Sequence, residues 1–277
     1  MKKTLLPALV LLFATLSCKK DDATTPTPIA PIATIFCKLN QAVVTGSGLT
    51  TYDFTYDAAT GNITKYTLST VAGNDKQVLT QTLTYNKTGQ IMTGYQTFAI
   101  NGKVQMGGGN STYTYTNGLL TDISYLGTNA ATTIPFARKT IKYDANKRMS
   151  ESVYISGNYT ITDKYEYDAN GNCTKYATID TDGYSQEIIS TYDTSKNPEQ
   201  IVAKAIPFDF SGGQPWKINV ALTTKSTFIE QTGAKPEVTT AKRSNIKTDA
   251  KGYVISATYT SSDGTSSNET YSLADCN

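Results

Sequence analysis

The chain has 277 residues, 19 of them Tyr against one Trp, and contains no His. With 39 % apolar residues and a formal charge of +2, it suits one sizeable globular domain or two small ones and excludes a multispan membrane protein. The missing His removes Ser-His-Asp and Cys-His catalysis, His-ligated zinc and imidazole proton shuttling. Lys2 and Lys3 sit in a segment expected to be cleaved; without them 23 basic residues balance 23 acidic ones, so no basic field exists to attract nucleic acid.

The N-terminus reads MKKTLLPALVLLFATLSCKKDD. Lys2 and Lys3 form a basic n-region, and Leu5 to Leu16 make an apolar stretch too short to span a bilayer. Ser17 then precedes Cys18, and the whole resembles a bacterial lipoprotein signal in which Cys18 becomes the lipid-modified N-terminus. An ideal lipid box would carry Leu three residues before the Cys, where Thr15 stands. Lys19-Lys20-Asp21-Asp22 resembles the export tag that sends Bacteroidota lipoproteins to the outer face of the outer membrane. Pro26, Pro28 and Pro31 among Thr and Ala favour an extended tether. The expected organisation is thus a signal peptide over 1–17, a lipidated Cys and tether over 18–33, and one β domain over 34–277.

Along that domain one phrase recurs: a Tyr or Thr, usually Asp, two or three turn-formers, then an apolar residue. Copies are YDAATGNI (56–63), YNKTGQI (85–91), YTNGLL (115–120), YDANKRM (143–149), YDANGNC (167–173), YDTSKNP (192–198) and TDAKGYV (248–254). Successive starts lie 29, 30, 28, 24 and 25 residues apart and then 56, which suggests one decayed copy between 198 and 248. Each phrase follows a strict alternation, such as Leu83 and Tyr85 beside Thr82 and Thr84, which means half-buried strands. Asp with Asn-Gly or Thr-Gly supplies the reversal, and the chain resumes as a strand, as in ITKYTL or CTKYATI. No window beyond the signal peptide has a helical period.

The phrase Tyr167-Asp168-Ala169-Asn170-Gly171-Asn172 resembles the YD repeats of RHS-type extracellular bacterial proteins and of uncharacterised Bacteroidota surface lipoproteins. The resemblance covers roughly 52–260. It implies hairpins and a surface setting, and carries over no active site. RHS repeats are shorter and far more numerous, and seven or eight hairpins cannot enclose a toxin. The expected fold is all-β: a long antiparallel meander of repeated hairpins, strongly curled into an open barrel or elongated sandwich and lined largely by Tyr.

With Cys18 given to lipid, three Cys remain in an oxidising compartment. Cys173 fills the slot held elsewhere by Ile63, Ile91, Met149 and Val254, so it should point into the core. That leaves Cys37 and Cys276 as the expected bridge between the first and last strands.

Asp180-Thr181-Asp182-Gly183 and Asp168-Ala169-Asn170-Gly171-Asn172 contain fragments of a calcium loop, but hairpin turns explain both. Gly107-Gly108-Gly109 does not join a strand to a helix, so it is no phosphate cradle. Paired carboxylates could run a glycosidase without His, yet Asp168, Asp193 and Asp249 belong to the turn position of the repeat. The most irregular stretch, 206–217, carries Phe208, Asp209, Phe210, Gln214 and Trp216. Its aromatics either plug an open end of the sheet or form a platform for sugar rings, with Asp209 and Gln214 as polar contacts.

The resulting expectation is a non-catalytic, lipid-anchored protein on the exterior of the outer membrane, without a cofactor or metal. It would bind a glycan, a peptide or an outer-membrane partner. The alternative is a carrier of an apolar ligand inside the curled sheet, and a carboxylate-based glycosidase ranks third.

Overall fold

A computed structural model describes residues 37–127, 135–203, 219–230 and 233–274, all within the unit Ile35–Asn277. The meander opens with β1 (Lys38–Thr45), β2 (Leu49–Tyr56), β3 (Ile63–Ala72) and β4 (Asp75–Tyr85). It continues through β5 (Ile91–Ile100), β6 (Lys103–Thr116), β7 (Leu119–Leu126) and β8 (Ala137–Tyr143). Next come β9 (Met149–Ser156), β10 (Tyr159–Tyr167), β11 (Cys173–Asp180) and β12 (Ser185–Lys196). A one-turn helix α1 (Glu199–Ala203) precedes β13 (Asn219–Ile229), β14 (Glu237–Thr248), β15 (Val254–Ser261) and β16 (Ser266–Ala274).

Each strand pairs antiparallel with the one before it, and β16 returns to β1, so sixteen strands form a closed barrel. The all-β meander is therefore as expected, but the open barrel or sandwich is corrected to a closed one. An open sheet would leave the backbone groups of β1 and β16 as two unpaired edges. Pairing from Lys38↔Ala274 to Thr45↔Asn268 removes both.

The period of two assigns the faces. In β4, Gln81 and Leu83 are buried while Thr82 and Thr84 are exposed, and cross-strand partners keep the same face, as in Leu83↔Gly94 and Thr84↔Thr93. The buried face is the barrel interior. Ile63, Ile91, Met149, Cys173 and Val254, which open the strands after the repeated turns, are all at most 3 % exposed. Cys173 is accordingly a buried thiol in the slot of its apolar counterparts.

The repeated Tyr has a specific task. Tyr56 donates its hydroxyl to the Leu39 carbonyl at 2.8 Å, and Tyr85, Tyr143 and Tyr167 donate to those of Ile63, Leu120 and Met149 at 2.7 Å. Tyr192 does the same to Cys173, and Tyr115 to Ile91. From Tyr85 onward the acceptor is the apolar residue that closes the preceding repeated phrase, and it sits beside a β-bulge, such as the register shift at Thr55/Tyr56 opposite Ile63. A bulge disrupts the ladder locally, and the phenol of the next hairpin supplies a hydrogen bond there. Six such links join consecutive hairpins along one rim, from β1 to β12.

The turns on that rim share one chemistry. In the turn after β10, the Asp168 carboxylate accepts the Asn172 backbone N–H at 2.8 Å and the Asn172 side-chain amide at 3.0 Å. Gly171 there has φ of +86°, which costs Gly nothing sterically. Desolvation pushes the Asp168 carboxyl up, but the donors of Asn172 and its neighbours outweigh it and hold the pKa below the usual value. Asp144 and Asp249 accept in the same way, from Arg148 and Tyr253 at 2.9 Å.

Two sequence expectations need correction between β12 and β14. No repeat has decayed: β12 pairs directly with β13, with Tyr192↔Ala221 and Lys196↔Asn219, so the doubled interval is an insertion in one connection. That insertion also carries α1, a helix too short to leave a period in the sequence. Val202 of α1 is fully buried in the main core with Leu39 and Phe54, so this part of the insertion packs into the barrel interior.

Tyr143→Phe should destabilise the barrel by about 1–3 kcal/mol in denaturant titrations, since it leaves the Leu120 carbonyl without its phenol donor. Burial pushes the Tyr56 and Tyr143 phenols up to about 12, and pushes Tyr85, Tyr167 and Tyr192 up as well. Such groups support the fold fully below their unfolded pKa near 10, and that support is lost as pH rises towards the folded value. Tyrosinate absorbance should therefore grow together with loss of the β-sheet circular dichroism between about pH 10 and 12. A tyrosinate signal complete near pH 10 with the sheet intact would contradict this.

Candidate functional site

Three polar clusters stand on the inward face. Tyr66 donates to the Gln81 side-chain oxygen, Gln81 Nε2 donates to Tyr113 Oη at 3.2 Å, and Ser111 Oγ lies 3.2 Å from the same phenol. Gly94 opposes Leu83 and Ser111 at this point; a Cβ there would meet Ser111 Oγ at 2.6 Å and Tyr113 Oη at 3.1 Å. In the second cluster Asp163 accepts from Ser152 and Tyr176 at 2.9 Å each, with Lys139 Nζ 3.6 Å away.

The third cluster holds a second buried ion pair. Arg243 donates two parallel bonds to Glu269, at 2.8 and 2.9 Å, and a further one to the Ala221 carbonyl at 2.9 Å. Tyr271 lies 3.4 Å from Glu269 and 3.5 Å from Glu199 of α1. Desolvation pushes the Arg243 pKa down, but Glu269 outweighs it and holds the guanidinium above its ordinary range. The geometry is a satisfied structural network that ties α1 to β14 and β16.

The outward face reads differently. Lys142 pairs with Glu151 at 2.7 Å and Lys175 with Glu187 at 3.0 Å, and exposed Lys164, Lys225 and Lys242 stand near the middle of β10, β13 and β14 among rows of Thr. A lipid-spanning wall needs an outward apolar band about 25 Å tall. Charged side chains in the middle of this wall place it in water.

A concavity of about 810 Å³ lies on that outer wall across β12 to β15. Thr191↔Thr223↔Lys242↔Thr260 form one outward row across it, with Lys225 and Thr240 alongside. Thr191 and Thr223 hydroxyls are 2.6 Å apart, Ile189 and Ala241 also line the concavity, and buried Ser190 alternates with the lining residues on the inner face. No carboxylate lines the concavity, and among the described residues neither Lys225 nor Lys242 is in an ion pair. Its chemistry is hydroxyl donors and acceptors plus two ammonium groups.

The residues singled out from sequence fall as follows. Phe208, Asp209, Phe210, Gln214, Trp216, Cys18 and Cys276 lie outside the described residues. Cys37 is disulfide-bonded. Asp168 and Asp249 serve turns, while Asp193 lies in the register break of β12 between Tyr192 and Lys196 and accepts the Ser195 N–H at 2.8 Å. The Asp180 carboxylate is likewise committed, to the N–H groups of Asp182 and Tyr184. Among the described residues no group of three or more His, Cys, Asp or Glu could hold a metal. Sequence reasoning missed the interior charges. Their signal was parity: Asp163 and Glu269 each stand two residues before an inward Tyr, on the same face.

The class defined by these features is a closed sixteen-stranded antiparallel barrel with an apolar interior and a polar mid-wall. No family model matches the chain, and no curated protein matches it by sequence. Among solved structures it is similar to a porin-like protein from Bacteroides uniformis, at 12 % identity and a TM-score of 0.53, covering 85 % of this chain and 98 % of that one. A porin-like protein from Bacteroides vulgatus aligns at 15 % identity and a TM-score of 0.42, over 84 % of this chain and 97 % of that one. The first of these supports the barrel fold.

Glu269→Gln should cost about 3–5 kcal/mol in stability, because it strands a buried guanidinium. Replacing both partners with apolar residues, Arg243→Met with Glu269→Leu, should recover most of that loss in thermal melts.

Proposed function

We propose that the protein is a non-catalytic, lipid-anchored barrel of the outer membrane that binds an acidic glycan along its outer wall. The carrying observation is the concavity over β12 to β15, with its Thr row, Lys225 and Lys242, and no lining carboxylate. Hydroxyl rows match the hydroxyls of a sugar chain, and two ammonium groups off the ion-pair network suit carboxylate or sulfate substituents. A concavity near 810 Å³ falls in the range of ligand-sized clefts, roughly 300–1,000 Å³. The anchor would be Cys18, in a signal followed by a Lys-Asp tag. A bridge from Cys37 to Cys276 would lock the ends that Lys38↔Ala274 brings together. The similarity to a porin-like protein from Bacteroides uniformis is compatible with an outer-membrane setting.

Calorimetry with polyuronates, sulfated polysaccharides and neutral glucans tests the reading. Acidic chains should bind and neutral ones should not, with affinity falling as salt rises. Lys225→Ala with Lys242→Ala should weaken binding by roughly tenfold or more at unchanged Tm. Equal binding of neutral and acidic chains, or no effect of the pair of substitutions, would contradict it.

A further inference from the structure

The exposed apolar side chains are not scattered. Of ten large ones among the described residues, six sit within two residues of a strand end on the rim opposite the Tyr-Asp turns. They are Leu49 on β2, Val104 on β6, Phe136 just before β8, Ile155 on β9, Ile179 on β11 and Val238 on β14, between 42 % and 63 % exposed. Register places Leu49, Val104, Ile155, Ile179 and Val238 on the outward face: Val104, for instance, opposes Ala99, which opposes Val78. These residues are spread along the rim from β2 to β14 rather than forming one patch, and β15, β16 and β1 interrupt the circuit, with Thr260, Ser266 and Thr45.

At the same height the inward face is mixed, with Ile100 opposite Gln77 and Phe228 opposite both Gln186 and Glu237. Gln77, Gln186 and Glu237 occupy inward positions near this rim, with Gln186 donating to Ser226 at 3.0 Å. An outward apolar belt is what a barrel presents to lipid, whereas the middle of this wall is polar on its outside. The belt is only about two residues tall, roughly 7 Å, far short of the ~25 Å of a spanning band. Such a belt matches the depth to which interfacial elements sink at the boundary between headgroups and acyl chains.

We propose that this rim docks onto a lipid surface, sinking its apolar belt into the headgroup–acyl boundary without crossing the bilayer. A protein partner would meet one sector of the ring, whereas a planar interface normal to the barrel axis meets all of it. Lys76 stands on the same outward belt, opposite Val71, where a long side chain can carry its charge back to the headgroups. The chain does not oppose this docking. Cys37 lies at the far rim, but nineteen residues from Cys18 drawn out at ~3.4 Å each reach about 65 Å, more than the height of the wall.

The test separates the belt from the acyl anchor. The described core is built within 37–274, so a chain from Lys19 to Asn277 carries the barrel without Cys18. This chain should co-sediment with phosphatidylcholine vesicles and with phosphatidylcholine–phosphatidylglycerol vesicles, at low and high salt alike. Ile179→Glu with Phe136→Glu should cut binding by roughly tenfold or more, while Tyr95→Glu, exposed but off the belt, should not. All three replaced or control positions are solvent-facing, and an unchanged Tm confirms the fold. As a second readout, Val104→Cys carrying an environment-sensitive dye should shift to the blue on vesicles and be quenched by brominated acyl chains. Absence of vesicle binding, binding indifferent to the belt substitutions, or a self-association that those substitutions abolish without any lipid binding would each overturn the proposal.

Discussion

Closure of a sheet with its apolar face turned inward is the constraint from which the rest follows. Sixteen strands have no free edge, so every wall residue is committed to one of two environments. The interior receives Ile63, Met149 and the phenols, and the outer wall receives Thr, Lys and Glu. The Tyr hydroxyls make that assignment self-consistent: a phenol can be buried only with a partner, and the neighbouring hairpin offers its carbonyl beside a bulge. Packing and register are thereby fixed by the same residue.

This division also orders the functional readings. Interior charges are mutually satisfied, as in the bidentate Arg243–Glu269 pair, and tie α1 into the barrel. What faces water is available for recognition: a Thr- and Lys-lined concavity on the wall and a thin apolar belt at one rim. The concavity reaches the belt's rim at Ser261 and Ser262, near Val238, but the two use different chemistry and different side chains, so each can fail without the other.

The local grammar was legible in the sequence. Thr82-Leu83-Thr84-Tyr85 announces a strand and its two faces, and Asp168 with Gly171 announces the turn; both are set by neighbours within a few residues. The slot of Cys173 followed from the same register. Closure was not legible, because the pairing of Lys38 with Ala274 depends on the sum of twist over sixteen strands rather than on either segment. The insertion after Lys196 was misread as a lost repeat, since spacing alone does not distinguish a decayed hairpin from extra chain in one loop. Asp163 and Glu269 passed as polar positions because hydropathy alternation records polarity, whereas their burial depends on Lys139 and Arg243 from other strands.

The central claim is that the mid-wall of this barrel faces water while its interior holds the apolar core. Spin labels at Thr82→Cys, Lys164→Cys and Thr223→Cys, measured on the protein bound to lipid vesicles, test it directly. The account predicts that all three labels relax with a water-soluble nickel chelate and show no excess contact with oxygen dissolved in lipid. Labels that favour oxygen over the chelate would place the wall in the bilayer and contradict it.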